Sequence, residues 1–401
     1  MNPEAESVRA DLKTQPRIAI VQHGDYPAAY ETYVSDRPEP YAGMKKTVGA
    51  IEDLIANREF LLISLDAAFK RSAHHSGTLL CIPPHKLPRF IPRRIAAAWQ
   101  RRRVLAEIRR FAPTHLLIRT NGRLAIDLLE YAASRHVQCQ VIFANVFDPQ
   151  TRDHASTRRL IHLLNQSFVQ RVANHLQPAV DSMIECGLKP HKALAYDVDL
   201  PLRKIDREPK RKNPDVKCNL VFAGNLLYSK GCEDVVFAAA ELHQRGIPTH
   251  LSIYGDGPHK DRLQQIVATL PAGLITIHGR QPNTLIVQAM RESTFVCVTT
   301  HRQFTEGMPL TLTEALTTRS PVIASTHPVF VRAFQDGEGL RFVPEKQPLA
   351  IADAVEQLWN DPAEYSRLSE STSQALERVK CDTPMSSLLK EWSQSFDGVC
   401  S

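Results

Sequence analysis

Residues 306–316 read Glu306-Gly307-Met308-Pro309-Leu310-Thr311-Leu312-Thr313-Glu314-Ala315-Leu316, and Ser320-Pro-Val-Ile-Ala324 follows closely. Pro309 suits a first helical position, where its missing N–H costs nothing, and Leu310, Leu312, Ala315 and Leu316 can supply the apolar side of a helix. One acid, Glu306, precedes that helix and the other, Glu314, lies inside it. At about 1.5 Å per helical residue the two sit roughly 10 Å apart, too far to share a proton but suited to gripping two parts of an elongated ligand. Unpaired N–H groups at the helix start favour a phosphate between them. Two glutamates at this spacing also occur on ordinary solvated helices, so the surrounding sequence has to decide.

Working outward, short β-rich runs alternate with longer helical patterns. Strands are expected at 17–22, 60–65, 78–82, 115–119, 140–143 and 171–174, then at 216–223, 250–254, 275–278, 295–299, 321–325 and 340–343. Helices are expected at 43–57, 123–134, 232–245, 260–269, 349–358 and 384–396. Two sets of six strands imply two doubly wound α/β domains, with ligands at the carboxyl ends of the strands. Gly224-Asn225-Leu-Leu-Tyr-Ser-Lys230-Gly231 follows one strand and precedes a helix, so its backbone N–H groups and the Lys230 ammonium can together hold a diphosphate. Tyr254-Gly-Asp-Gly257 is a turn at another strand end, a common structural feature by itself.

Length and composition fit this organisation. A chain of 401 residues exceeds one ordinary core, and 43% hydrophobic residues can bury two. The formal charge of +6 is uneven: residues 1–200 carry 27 Lys+Arg against 20 Asp+Glu, and residues 201–401 carry 22 against 23. Eight cysteines are scattered without a C-x-x-C pair or zinc spacing, as expected of reduced thiols in a cytosolic protein. Met1 to Gln15 has no apolar signal core, and no apolar run approaches the roughly 18 residues of a spanning helix.

The segment Glu306 to Leu316 with Ser320–Ala324 resembles the E-x7-E region of retaining glycosyltransferases of family 4. Val221-Phe-Ala-Gly224 through Gly231 resembles the same family's phosphate-binding turn, and Tyr254–Pro258, His278-Gly279 and Phe295–Val298 fall between in the family's order. The likeness is good from Val216 to Trp359 and loose in the first half. It implies a GT-B fold: two facing Rossmann-like domains, an acceptor domain at 1–200, a linker at 201–215, a donor domain at 216–380, and a crossover helix within 381–401 that returns to the first domain. It also implies metal-independent, retaining transfer of a sugar from a UDP- or GDP-linked donor, with no cofactor, to a saccharide or lipid-linked saccharide in glycan or polysaccharide synthesis.

By this resemblance Glu306 addresses hydroxyls of the transferred sugar and is the catalytic candidate. Glu314 addresses the ribose, and Lys230 with Gly224 and Asn225 the diphosphate. The Gly307, Met308, Pro309 and Leu310 backbone meets sugar and phosphate, the backbone at Gly279-Arg280 borders the base while the Arg280 side chain is equally open to being a surface charge, and Gly24 faces the donor phosphates. Thr300, His301, Asn121 and Asn145 are candidates for the sugar or acceptor pocket, with Asp148 at a neighbouring strand end. Two departures stand out: Asn225 occupies the usual place of an arginine, and Asn145 that of a histidine. Arg280, Arg302 or a basic group of the first domain are open replacements for the missing charge.

The run from Arg89 to Arg110 holds eight arginines around Ile95 and Trp99, with Glu107 its only acid. Such a segment can attract anionic lipid while apolar groups enter the interface, placing a cytoplasmic enzyme at the inner face of a membrane. A solvated helix face is the plain alternative. No nucleic-acid motif accompanies the charge. The functional rivals are a sugar-nucleotide epimerase on the same architecture and a degenerate domain that binds a nucleotide sugar without turnover.

Overall fold

The computed structural model describes residues 15–84, 93–198, 205–211 and 217–396, with the side chains of residues 93 and 94 excepted. Cys400 and residues 89–92 of the arginine-rich run lie outside these residues.

The first sheet contains β1 (Arg17–Gln22), β2 (Glu59–Ser64), β3 (Lys70–His74), β4 (Gly77–Cys81), β5 (His115–Arg119), β6 (Gln138–Ile142), β7 (Val169–His175) and β8 (Ala193–Tyr196). Their order is β3-β4-β2-β1-β5-β6-β7-β8, parallel except for the β3–β4 hairpin. The second sheet contains β9 (Cys218–Ala223), β10 (Thr249–Tyr254), β11 (Ile275–Gly279), β12 (Phe295–Val298), β13 (Val322–Ser325) and β14 (Leu340–Val343), in the order β11-β10-β9-β12-β13-β14. Inner strands such as Ile18–Val21 and Phe295–Val298 are buried on both faces, which is why they read as unbroken apolar runs.

Strand order reverses between β1 and β5 in the first sheet and between β9 and β12 in the second. Crevices for ligands open at such switch points, beyond the carboxyl ends of the strands. Gly24, Asn121, Gly224 and Thr299 all follow these four strands.

Eight strands replace the six expected in the first half. Both additions are edges: β3 is largely exposed and polar, and β8 is four residues long. Neither needs the buried apolar run that marks an inner strand. Pro309 also differs from expectation, since it caps the helix Leu310–Thr317 from outside with ψ 132°.

The helix Met385–Gln394 returns to the first domain as expected, burying Met385, Leu388, Leu389 and Trp392 in the core around Ile18, Ile20 and Ile51. The described part of the expected linker, 205–211, lies along the second domain. There Asp206 N–H donates to Thr317 O at 2.8 Å, and the Lys210 ammonium reaches Met290 O, Ser293 O and Ser320 Oγ. Burial pulls the Lys210 pKa down to about 7.

Candidate functional site

On the second domain, two turns meet so closely that only glycine fits. A Cβ on Gly255 would stand 1.8 Å from Gly224 O, and one on Gly231 2.1 Å from Thr299 O. Gly231 opens the helix Cys232–Gln244, and Lys230 ends the short turn before it. The Lys230 ammonium forms a close ion pair with Glu306 Oε2. It also lies 4.8 Å from the Phe304 ring centroid. Both paired side chains are largely enclosed, at 15% and 11% exposure. The other Glu306 oxygen accepts from Thr300 Oγ1 at 2.5 Å. The residues expected to serve sugar and diphosphate therefore touch.

Glu314 is buried within the helix Leu310–Thr317 and accepts a bond from Asn283 Nδ2 at 2.8 Å. Burial pushes its carboxyl above the usual carboxylate range, against the opposing effect of the Asn283 bond. Asn225 is exposed on the phosphate-binding turn. Arg280 is 80% exposed and 4.0 Å from Asp256. It borders a cavity that Gly24 also lines.

On the first domain, Gly24 adopts a φ of +97° and its N–H donates to Asp66 Oδ2 at 2.6 Å. His23 stands with Nδ1 3.5 Å from the same carboxylate oxygen and Nε2 3.0 Å from Thr120 Oγ1. Bonding from His23, together with the Gly24 N–H, holds Asp66 below the usual carboxylate range despite burial. The Asn121 and Asn145 side chains lie 3.5 Å apart and line a cleft of about 550 Å³ with Asp148. Asp148 is committed locally, capping the turn Pro149–Thr151 through Gln150 N–H at 2.9 Å.

The acidic loop spans the two domains. Gly307 N–H donates to Ala144 O at 3.0 Å, and His175 Nδ1 meets Met308 O at 3.0 Å. Met308 packs in one cluster with Val146 and Leu176. These backbone groups of Gly307 and Met308 are thus engaged by the first domain. A second tie joins Asn283 N–H to Glu39 O at 2.9 Å. Between the domains is a cavity of about 370 Å³ bordered by His23, Arg119, Asn121, Asn145, Phe304 and Glu306.

His301 does not open on this space. It is fully buried, with Nε2 2.7 Å from Asp234 Oδ2, because the chain turns its ring beneath Tyr228. Thr300 is 1% exposed and orients Glu306 rather than lining a pocket. Sequence reasoning missed Asn283, Arg119 and the His23–Asp66 pair, whose partners are remote in the chain. Metal-type donors also occur away from the cleft, where Glu52 carboxylate oxygens meet His74 Nε2 at 3.0 Å and His75 Nε2 at 2.8 Å. The Asp-x-Asp triplet 197–199 has Asp197 buried 3.2 Å from His175 Nε2, while residue 199 lies outside the described residues.

Residues 203–375 match the family model of the group 1 glycosyl transferases. Two curated relatives align over part of the chain. The alpha-D-kanosaminyltransferase of Streptomyces kanamyceticus is 27% identical over 180 residues, 44% of this chain and 45% of that protein. The putative colanic acid biosynthesis glycosyltransferase WcaL of Salmonella typhimurium is 25% identical over 170 residues, 41% and 40% respectively. The chain spans less than half the length of either relative in these alignments.

Solved structures match nearly end to end. Anabaena HepE in complex with UDP has a TM-score of 0.61 at 12% identity, over 96% of this chain and 100% of that one. The sucrose-phosphate synthase of Thermosynechococcus elongatus has a TM-score of 0.64 at 14% identity, over 96% and 99%. The fold is GT-B, as expected from the sequence.

Proposed function

We propose that this protein is a retaining glycosyltransferase of family 4 that takes a UDP- or GDP-linked sugar and passes the sugar to a saccharide or lipid-linked saccharide. The observation that carries this is the Lys230–Glu306 contact at the second switch point, with buried Glu314 one helix away. Lys230 and the start of the helix Cys232–Gln244 supply positive potential for a departing diphosphate. Glu306, oriented by Thr300, addresses the sugar, and Glu314, held by Asn283, addresses the ribose. The second domain is the donor side and the first, residues 1–200, the acceptor side.

Retention follows a front-face course: the C1–O bond to the diphosphate breaks, the acceptor oxygen bonds C1 from the same side, and its proton passes to the leaving phosphate. The local cations do the electrostatic work, so turnover is expected to persist in a chelator. Incubating the protein with a panel of UDP-, GDP- and ADP-sugars tests this, with slow nucleoside diphosphate release from one of them as the expected result. Binding without any release would reduce the protein to a nucleotide-sugar binder. The His23–Asp66 pair favours the epimerase as second reading, since it puts a titratable group in the cleft; donor consumed to an epimer without diphosphate release would establish it.

The helix Arg93–Phe111 supports docking of this cytoplasmic enzyme on an anionic membrane. Ile95, Trp99 and nearby Phe69 are exposed at 54%, 42% and 52%. Arg103 lies 3.9 Å from the Phe69 ring centroid and 5.3 Å from that of Trp99. No described helix is long and apolar enough to cross a membrane. Arg101 is tied to Asp127 at 2.9 Å, so Arg102, Arg103 and Trp99 are the contacts to alter. Replacing these three by Gln, Gln and Ser should release the protein from phosphatidylserine vesicles at low salt; a wild-type protein that ignores such vesicles ends this reading.

A further inference from the structure

Arg119 ends β5, where the sheet register sets it beside Gln22 of β1. Its guanidinium donates to Gln22 Oε1 at 2.6 Å and approaches Met385 Sδ at 3.9 Å, and these are its side-chain hydrogen-bond partners among the described residues. Neither is charged. The ionisable groups closest in effect are Tyr196, Tyr41 and Tyr26, and burial raises the pKa of all three phenols, so they stay neutral. A guanidinium has five N–H donors and remains charged under any ordinary condition. Desolvating it without a counter-charge costs stability, and burial accordingly lowers its pKa. Yet the residue stays partly accessible, bordering both the cavity it shares with Glu306 and the one it shares with Gly24 and Arg280.

Lys230, which lies against Glu306, is already matched by that carboxylate, while Arg302 and Lys346 line the neighbouring cleft of about 550 Å³ and Arg280 the cavity beside Gly24. Among the described residues Arg119 is the only lysine or arginine bordering the cavity that Glu306 enters, and apart from Phe304 to Glu306 that cavity is walled by the first domain. The turn from Gly224 to Lys230 does not border it. An unmatched, partly desolvated cation aimed at this space is built for an anion that arrives with the substrate.

We infer that Arg119 receives an anionic group of the acceptor, a phosphate or carboxylate, and so selects a charged saccharide over a neutral one. This rests on the transferase reading for the word acceptor, but the anion site itself does not depend on turnover. The same chemistry could come from the donor's diphosphate, and the experiment separates the two.

Inorganic phosphate is titrated calorimetrically into the full-length protein at constant ionic strength, with and without saturating UDP. Phosphate should bind the UDP-loaded protein, and Arg119→Gln should weaken that binding at least tenfold with UDP affinity unchanged. Arg119→Lys, which keeps charge but loses the fork, should fall between. The glutamine variant should melt no lower than wild type, since no ion pair is lost; were it to misfold, the lysine variant's weaker phosphate binding carries the test. Phosphate displaced by UDP would assign Arg119 to the donor and overturn the proposal. Equal phosphate binding by wild type and variants would overturn it too. Failure to bind any nucleotide would instead strike the transferase reading, and phosphate binding that Arg119→Gln removes would then still stand.

Discussion

Glu306→Gln should separate two roles that the structure ties together. In the cleft the Glu306 carboxylate holds the Lys230 ammonium, with both side chains mostly out of water, so screening is modest. A diphosphate that uses Lys230 must share or displace that carboxylate and also meets its negative charge. A hydrogen bond to a charged group is worth about 1.5–3 kcal/mol, and each 1.4 kcal/mol is tenfold in affinity. Gln is nearly isosteric and its amide oxygen can still accept from Thr300, so the loop should hold its place. Nucleoside diphosphate binding should therefore tighten by about tenfold, while turnover falls by about 10²-fold or more through loss of the charge that meets the sugar in the transition state. Calorimetry with UDP and a coupled diphosphate-release assay read the two separately. An unchanged or weaker dissociation constant would refute the idea that Glu306 competes for Lys230, and near-normal turnover would remove its catalytic role.

Glu314→Gln should weaken nucleoside diphosphate binding about tenfold with little change in fold, because Asn283 can still donate to the amide oxygen; an unchanged constant would make Glu314 a buried helix residue and no more. His115 supplies a pH prediction. Burial, aided by Arg58, pulls its pKa down to about 4, in packing 4.2 Å from the Phe396 ring of the crossover segment. The folded state then binds fewer protons than the unfolded chain between about pH 4 and 6.5, so stability is lost as pH falls through that window, by about 2 kcal/mol at pH 5. Denaturant titrations of wild type and His115→Gln should show a larger loss between pH 7 and 5 in wild type; parallel losses would mean that His115 is not the group responsible.

The second domain was the more legible half. Its strands are short and parallel, and β12 and β13 are buried on both faces, so apolar runs such as Phe295–Val298 mark them directly, and the turns at Gly224 and Gly255 carry their own backbone constraint. The first domain hid two edge strands because β3 is polar and β8 is very short. Spacing placed Glu306 and Glu314 around one helix, but it could not show that Lys230, 76 residues upstream of Glu306, would close on it. Nor could it show His301 turning inward to Asp234, 67 residues away. Arg119 looked like the polar end of an ordinary strand. Its significance comes from pairing: the β1–β5 register sets it opposite Gln22, and no carboxylate is recorded beside it among the described residues.

The most direct measurement is proton NMR of the protein with whichever nucleotide sugar it consumes, following the anomeric signal of the first sugar product before it mutarotates. Wild type should release nucleoside diphosphate and a sugar with the donor's own anomeric configuration, and Lys230→Ala should leave the donor intact. A product of inverted configuration, or full activity in Lys230→Ala, would contradict the account.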